Sequence, residues 1–193
     1  MNDTINPATT ALLVLDHQTM LVEGYAPDPA AHLARVADLL ASVRAADVAV
    51  IYVTVGFRPG YPEVADSNVM FSGVRSGGRF QFGDPQSAIP AAIAPRGDEP
   101  VVVKHRVSAF AGTDLAMLLR ARKIETLAMF GIATSGVVTS TVRAAADLDY
   151  RLIVLKDLCA DTDASLHTML IDTLFPRQAE TITADTFVAR LPA

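Results

Sequence analysis

The chain has one cysteine, no tryptophan and four histidines in 193 residues. A single thiol, Cys159, closes no internal disulfide and builds no cysteine-rich metal site. His17, His32, His105 and His167 stand far apart, and their spacing does not resemble a zinc site. No metal and no cofactor is therefore expected. No apolar run approaches the ~20 residues that span a bilayer, which argues against a membrane partner. The first ten residues, MNDTINPATT, lack the basic start and apolar stretch of a signal peptide, so the cytoplasm is the expected compartment. Basic residues are scattered rather than striped, and the formal net charge is −5, which argues against nucleic acid as a partner.

What is present is apolar and regularly patterned. Hydrophobic residues make up 51% of the chain, far above the range of disordered segments. The length suits one domain over residues 1–193 and is short for two. ALLVLD, ending at Asp16, is a continuous apolar run that turns polar, the pattern of a strand buried on both faces. From Pro29 to Ala46, Leu33, Val36, Leu39, Leu40 and Val43 recur at helical spacing. VAVIYVTV, beginning at Val48, is β-branched and strand-like. Later strands are expected at PVVVK, ETLAMFG, RLIVLKD and ETIT, with helices at TDLAMLLRARK, from about Gly136 to Asp149, and at DASLHTMLIDTLF. Six strands alternating with helices predict a three-layer α/β/α fold, Rossmann-like, around a mainly parallel sheet.

The stretch from Gly56 to about Ala88 breaks this alternation. It is rich in Gly, Pro, Ser and Arg, and no clean period survives in it. Phe57, Tyr61, Phe71, Phe80 and Phe82 argue for an ordered lid or a subunit contact, with a merely packed surface excursion as the open alternative. Arg58, Arg75 and Arg79 are candidates to hold a carboxylate, although solvated loop charges have the same appearance.

In parallel sheets, ligands bind at the carboxyl ends of strands. That rule selects Asp16, the turn after Val55, Lys104, the turn GIATSG and Asp157. Asp16 and Lys104 each close an apolar strand, so a carboxylate and an ammonium share one rim. In proximity, the lysine holds the aspartate ionised or passes it a proton, depending on burial. The turn from Phe130 is built of small residues and opens a helix, whose free N–H groups suit an anion or an oxyanion. An ordinary turn capped by Thr134 or Ser135 has the same sequence pattern.

An aspartate ending the first strand, then KHRVSAFAGTDL, then FGIATSGVVTSTVRAAADLDYRLIVLKDLCAD resembles, in order and spacing, the isochorismatase-like or cysteine hydrolase family. The match runs from about Ala11 to Ile182. The resemblance implies an Asp–Lys–Cys site, an oxyanion hole in the turn holding Ile132, Ala133, Thr134 and Gly136, and a cis peptide at Ile132–Ala133. It places the nucleophile at residue 137, where this chain has Val137. Valine has no nucleophilic atom, so an acyl-thioester route through that position is closed. The family's nicotinamidases carry an Asp-x-His metal pair after the second strand, and YVTVGFRPGY has none.

The resemblance also implies a route without cysteine, that of isochorismatases in which the aspartate is a general acid toward a vinyl ether. The expected activity is hydrolysis of a vinyl ether, amide or related bond in a small organic molecule. Asp16 would be the acid or base and Lys104 its electrostatic partner. His17, Phe57, Arg58, His105 and Phe110 are the candidate substrate contacts. Two alternatives stay open: a catalytically inactive relative that binds a small molecule or a protein, and a nucleophile moved to Cys159. A homo-oligomer, dimer or tetramer, is expected from the resemblance and the apolar loop.

Overall fold

The computed structural model describes residues 4–192; Met1, Asn2 and Asp3 of the N-terminal stretch read above lie outside it, as does Ala193. Six strands form one all-parallel sheet: β1 (Thr10–Leu15), β2 (Ala49–Val55), β3 (Val101–Lys104), β4 (Thr126–Gly131), β5 (Arg151–Leu155) and β6 (Glu180–Ile182). Their spatial order is β3-β2-β1-β4-β5-β6. Every residue of β1 and β4 is buried, as expected for central strands covered on both faces. At the edge, β3 alternates: Val101 and Val103 are exposed while Val102 and Lys104 are buried.

The helices cover the sheet where the apolar period places them. α2 (Pro29–Ala45) starts with Pro29 in its first turn and Asp28 accepting from the Ala31 N–H at 3.0 Å. It buries Val36, Leu39, Leu40 and Val43 against the sheet. Three further helices pack against the sheet or run between its strands: α4 (Leu115–Ala121), α5 (Thr139–Ala146) and α6 (Ala164–Met169). Three short helices stand outside the expected set: α1 (Thr19–Tyr25), α3 (Val69–Ser76) and α7 (Ala184–Val188). No helix among the described residues is long and apolar enough to cross a membrane.

The aperiodic stretch after β2 is ordered around its own small core. Val55, Phe57, Tyr61, Val64, Phe71, Val74 and Phe80 pack together, with Met20, Leu21 and Val107 at the margin. Asn68 caps α3 by accepting from the Phe71 N–H at 3.1 Å. Phe57 is fully buried, and its backbone continues the sheet by pairing with Gln81.

The sheet order reverses direction between β1 and β4: β2 and β3 lie on one side, β5 and β6 on the other. The carboxyl ends of β1 and β4 therefore flank the topological switch point, where such sheets bind ligands. Asp16 follows β1 there, and the Ile132–Val137 turn follows β4.

Candidate active site

Asp16 leaves β1 in a left-handed backbone conformation, φ 52°. Aspartate is among the few residues with a side chain that tolerate this region. Its N–H donates to the Val53 carbonyl at 2.8 Å, which ties the bend to β2. Close approach from the other side needs Gly131: a β-carbon there would lie 2.6 Å from Leu15 Cβ and 2.7 Å from Leu15 O.

Lys104 meets Asp16 across the rim. Its Nζ lies 2.8 Å from Asp16 Oδ2 and donates to the Arg106 carbonyl at 3.1 Å. Both residues are buried, at 5% and 2% exposure, so this is not a lysine reaching out to solvent. Burial drives the Asp16 carboxyl above the ordinary carboxylate range, and the charge and hydrogen bond of Lys104 pull against it. The second oxygen, Asp16 Oδ1, is buried without a hydrogen-bond partner. A carboxyl oxygen without an internal partner is what a general acid or base presents to a substrate.

The turn after β4 completes the rim. The Ile132–Ala133 peptide is cis, as the resemblance implies. Residues Thr134–Val138 form a π-helical turn that runs into α5. Much of its donor capacity is already engaged. The Thr134 N–H donates to Ala160 O at 2.9 Å, Gly136 N–H to Ala133 O at 3.1 Å and Val138 N–H to Ala133 O at 3.4 Å. The Ser135 N–H donates to Asp161 Oδ2 at 2.7 Å, so the cap is a carboxylate from after β5 rather than Thr134 or Ser135. Thr134 is fully buried, with Oγ1 3.2 Å from Ala160 O and 2.9 Å from His167 Nδ1. It is thus a hydroxyl beside an imidazole, but one closed to substrate. Val137 is 2% exposed and belongs to the main core.

The other sequence candidates separate into distinct surroundings. The His17 ring is buried, bonded to Leu15 O and to His32. The Nδ1–H of His105 donates to Gly56 O at 2.6 Å, and its ring packs on Phe57 and Phe82. Arg58 pairs with Glu63, and Arg75 with Asp66 at 2.7 Å. Phe110 stacks on Tyr150 at 6.1 Å between centroids. Asp157 pairs with Arg35 and accepts from the Ala184 N–H at 2.9 Å, a structural role at the start of α7. Among the described residues, no group of three or more His, Cys, Asp or Glu side chains is arranged to hold a metal.

Two residues in this neighbourhood carry no signal in the sequence reading. Gln18 is 1% exposed, and its amide serves Val55 as a strand neighbour would: Oε1 accepts from Val55 N–H at 3.0 Å, and Nε2 donates to Val55 O at 2.9 Å. Nε2 also donates to Ser87 O at 2.6 Å, binding the end of the segment after β2 to the Asp16 bend. A cavity of about 230 Å³ opens beside it, bordered by Gly56, Phe80, Phe82 and Val103. Arg106 holds the same segment from β3. Its guanidinium donates to Glu63 O at 3.1 Å and lies 6.0 Å from the centre of the Phe71 ring. A polar residue in an Asp-His-Gln run gives no hint of burial, which is why Gln18 is invisible to a pattern reading.

Cys159 is buried in the main core. Burial pushes its thiol up to about 12, and Sγ lies 3.5 Å from Leu155 O. The thiolate is the reactive form, so this sulfur is held inert. Cys159→Ser is expected to leave any turnover within about twofold of wild type, and native protein to resist iodoacetamide at pH 7. Rapid alkylation of the folded protein with loss of activity would contradict this.

The fold and its paired rim residues define an α/β protein of the isochorismatase-like class. The chain belongs to the isochorismatase family: the isochorismatase domain matches residues 10–186. It is 31% identical over 187 residues to the isochorismatase family protein YecD of Escherichia coli O157:H7, covering 91% of this chain and 92% of that one. It is 30% identical over 161 residues to a maleamate amidohydrolase of Pseudomonas putida, covering 81% and 75%. An isochorismatase family protein of known structure from Burkholderia thailandensis superposes with TM-score 0.84 at 30% identity, covering 97% of each chain.

Proposed function

We propose that this protein is a hydrolase of small organic amides or related bonds that works without a cysteine nucleophile. The observation that carries the reading is the buried Asp16–Lys104 pair, with one carboxylate oxygen left unpartnered. Asp16 is the acid–base group and Lys104 its electrostatic partner. The Ile132–Val137 turn faces the developing oxyanion with whatever N–H groups its internal bonds leave free. Likeness to a maleamate amidohydrolase supports an amide as the bond cleaved.

With Val137 in the position that the resemblance gives to the nucleophile, water is the attacking group. Its oxygen adds to the carbonyl carbon while Asp16 Oδ1 takes its proton. The carbonyl electrons move onto oxygen. They return as the C–N bond breaks, and Asp16 passes the proton to the departing nitrogen. Lys104 steadies the aspartate when it is ionised. For a vinyl ether the order reverses: Asp16 first protonates the terminal alkene carbon, and water adds to the resulting oxocarbenium as Asp16 takes back a proton. The hemiketal then breaks its ether C–O bond, with the proton passing to the departing oxygen, to leave a carbonyl compound and an alcohol. The segment from Gly56 to Ala88 is the lid, held down by Gln18, His105 and Arg106. The Asp16–Lys104 pair is buried, so substrate entry requires a neighbouring segment to move, and this one is assigned that motion.

The test is a panel of purified-protein assays on maleamate, simple ureas and a vinyl ether, run on wild type and Lys104→Met. Turnover of at least one compound is expected, with kcat reduced about 10²-fold or more in the variant. If no member of the panel is turned over, yet one binds to wild type and to Lys104→Met alike, the catalytic reading fails. The protein is then a binding module, the reading that Val137 favours.

A further inference from the structure

The Asp16 bend is bracketed by a pair of imidazoles that the reaction outlined above does not use. His17 is 1% exposed; its ring stands edge-on to Phe130 at 4.9 Å and is stacked on His32 at 5.2 Å, with 10° between the planes. Nδ1 lies 3.1 Å from Leu15 O, and Nε2 lies 2.9 Å from His32 Nε2. Leu15 and His17 are the two neighbours of Asp16, so the Nδ1 contact closes a loop around it. The same Leu15 carbonyl accepts from the Ile132 N–H at 3.3 Å. One oxygen thus joins the Asp16 bend, the turn after β4 and the His17 ring.

With both rings neutral, these atoms permit one arrangement of protons. A carbonyl only accepts, so His17 Nδ1 carries hydrogen. A neutral ring then has its lone pair at Nε2, so the hydrogen between the two rings belongs to His32. A second proton on His17 would set N–H against N–H unless His32 moved its own proton from Nε2 to Nδ1, so charging His17 costs the pair its tautomer as well as the burial of a charge. The charged groups around the pair are Arg35 on α2 and Asp157 after β5, which face His32 and pair with each other, and Asp16 and Lys104 beyond the bend. β1 and β4 offer the pair only Leu15 and Phe130.

We infer that His17 and His32 are positioning residues for Asp16: the locked imidazole pair holds the left-handed bend that seats the Asp16 carboxylate on Lys104. The inference rests on the reading of Asp16 as the acid–base group, but its test separates the two. A positive φ on a residue with a side chain is costly and persists only where the surroundings enforce it. Here the bond across the bend enforces it, and His32 enforces the ring.

The variants are chosen by which bond survives. His17→Leu loses both bonds, whereas His17→Asn places an amide N–H where Nδ1–H stood and keeps the Leu15 contact alone. His32→Phe frees His17 Nε2. The first readout is the pH titration of the Asp16 carboxyl by ¹³C NMR, assigned by the signal missing in Asp16→Asn. In His17→Leu the titration is expected to move down toward the ordinary carboxylate range as the carboxylate leaves its buried seat. In His17→Asn it is expected to return most of the way to wild type. In His32→Phe it is expected to shift downward in part. The second readout is turnover of the panel substrate. In His17→Leu a fall of at least tenfold in kcat is expected, with KM within threefold, and recovery in His17→Asn. An unchanged Asp16 titration in folded His17→Leu overturns the inference, as does unchanged kcat. If His17→Leu does not fold, an unshifted titration in His32→Phe overturns it equally. Activity surviving in Asp16→Asn refutes Asp16 as the acid–base group instead, and the titration still decides whether the histidines seat the carboxylate.

Discussion

Asp16→Asn is expected to lower turnover of the best substrate by about 10²- to 10⁴-fold, the usual contribution of a general acid–base group. The variant is expected to remain folded. Asparagine has nearly the same shape as aspartate and keeps a carbonyl oxygen for Lys104 Nζ, and it tolerates the left-handed backbone at position 16 equally well. The loss is specific to the proton. Asparagine can neither take a proton from water nor return one to a departing nitrogen. Stability falls modestly, because Lys104 is buried and its counter-charge is gone, although the Arg106 carbonyl still accepts from it. A loss of roughly 2 kcal/mol would lower Tm by about 4–8 °C in a chain of this size. Circular dichroism and a thermal scan check the fold, and steady-state assays check the rate. Full activity in a folded Asp16→Asn protein would sink the proposed mechanism.

The elements that position this site were legible in the sequence to different degrees. β1, β2, β4 and β5 announce themselves because central parallel strands are buried on both faces and read as unbroken apolar runs. β3 was legible only as PVVVK; its half-exposed edge pattern is a consequence of having one neighbour. Strand order is not written in the sequence at all, since it depends on which way each crossover turns. The meeting of Asp16 and Lys104 follows from that order only together with the burial that seals them. The short helices were lost for a local reason. α1 and α3 span two turns each, and each contains a glycine, Gly24 in one and Gly73 in the other. Two turns are too few for a period to emerge, and their stability comes from the small core built by the segment after β2 rather than from propensity. In the turn after β4 the sequence offers Thr134 or Ser135 as the cap, whereas Asp161, distant in sequence, supplies the carboxylate that accepts from the Ser135 N–H. Long-range partners of this kind leave no trace in local composition.

The histidine pair makes stability fall as pH drops, and the sign follows from the burial of His17. Desolvation first, then the neighbouring His32, lower the His17 imidazole to about 3 in the folded chain, while its hydrogen bond to Leu15 O works in the other direction. In the unfolded chain the same ring takes a proton near its ordinary value of ~6.5. Between these two values the unfolded state binds a proton that the folded state refuses, so folding weakens by about 1.4 kcal/mol for each pH unit lost. The stabilisation is complete above pH ~6.5 and is gone at about pH 3. Asp16 works in the opposite sense. Its folded value is raised, so its ionisation opposes folding at high pH and the penalty is relieved on acidification. A single wild-type curve therefore mixes two opposing trends, and the comparison must cancel Asp16. His17→Asn does so, because it removes the imidazole while keeping the N–H donor to Leu15 O that seats the bend. Urea unfolding of both proteins at pH 7.5 and pH 4.5 isolates the histidine. Wild type is expected to lose roughly 2–3 kcal/mol more than His17→Asn between the two pH values. Equal losses in the two proteins would mean that His17 is as free to protonate in the folded chain as in the unfolded one. The neutral, buried state assigned to His17 would then be wrong.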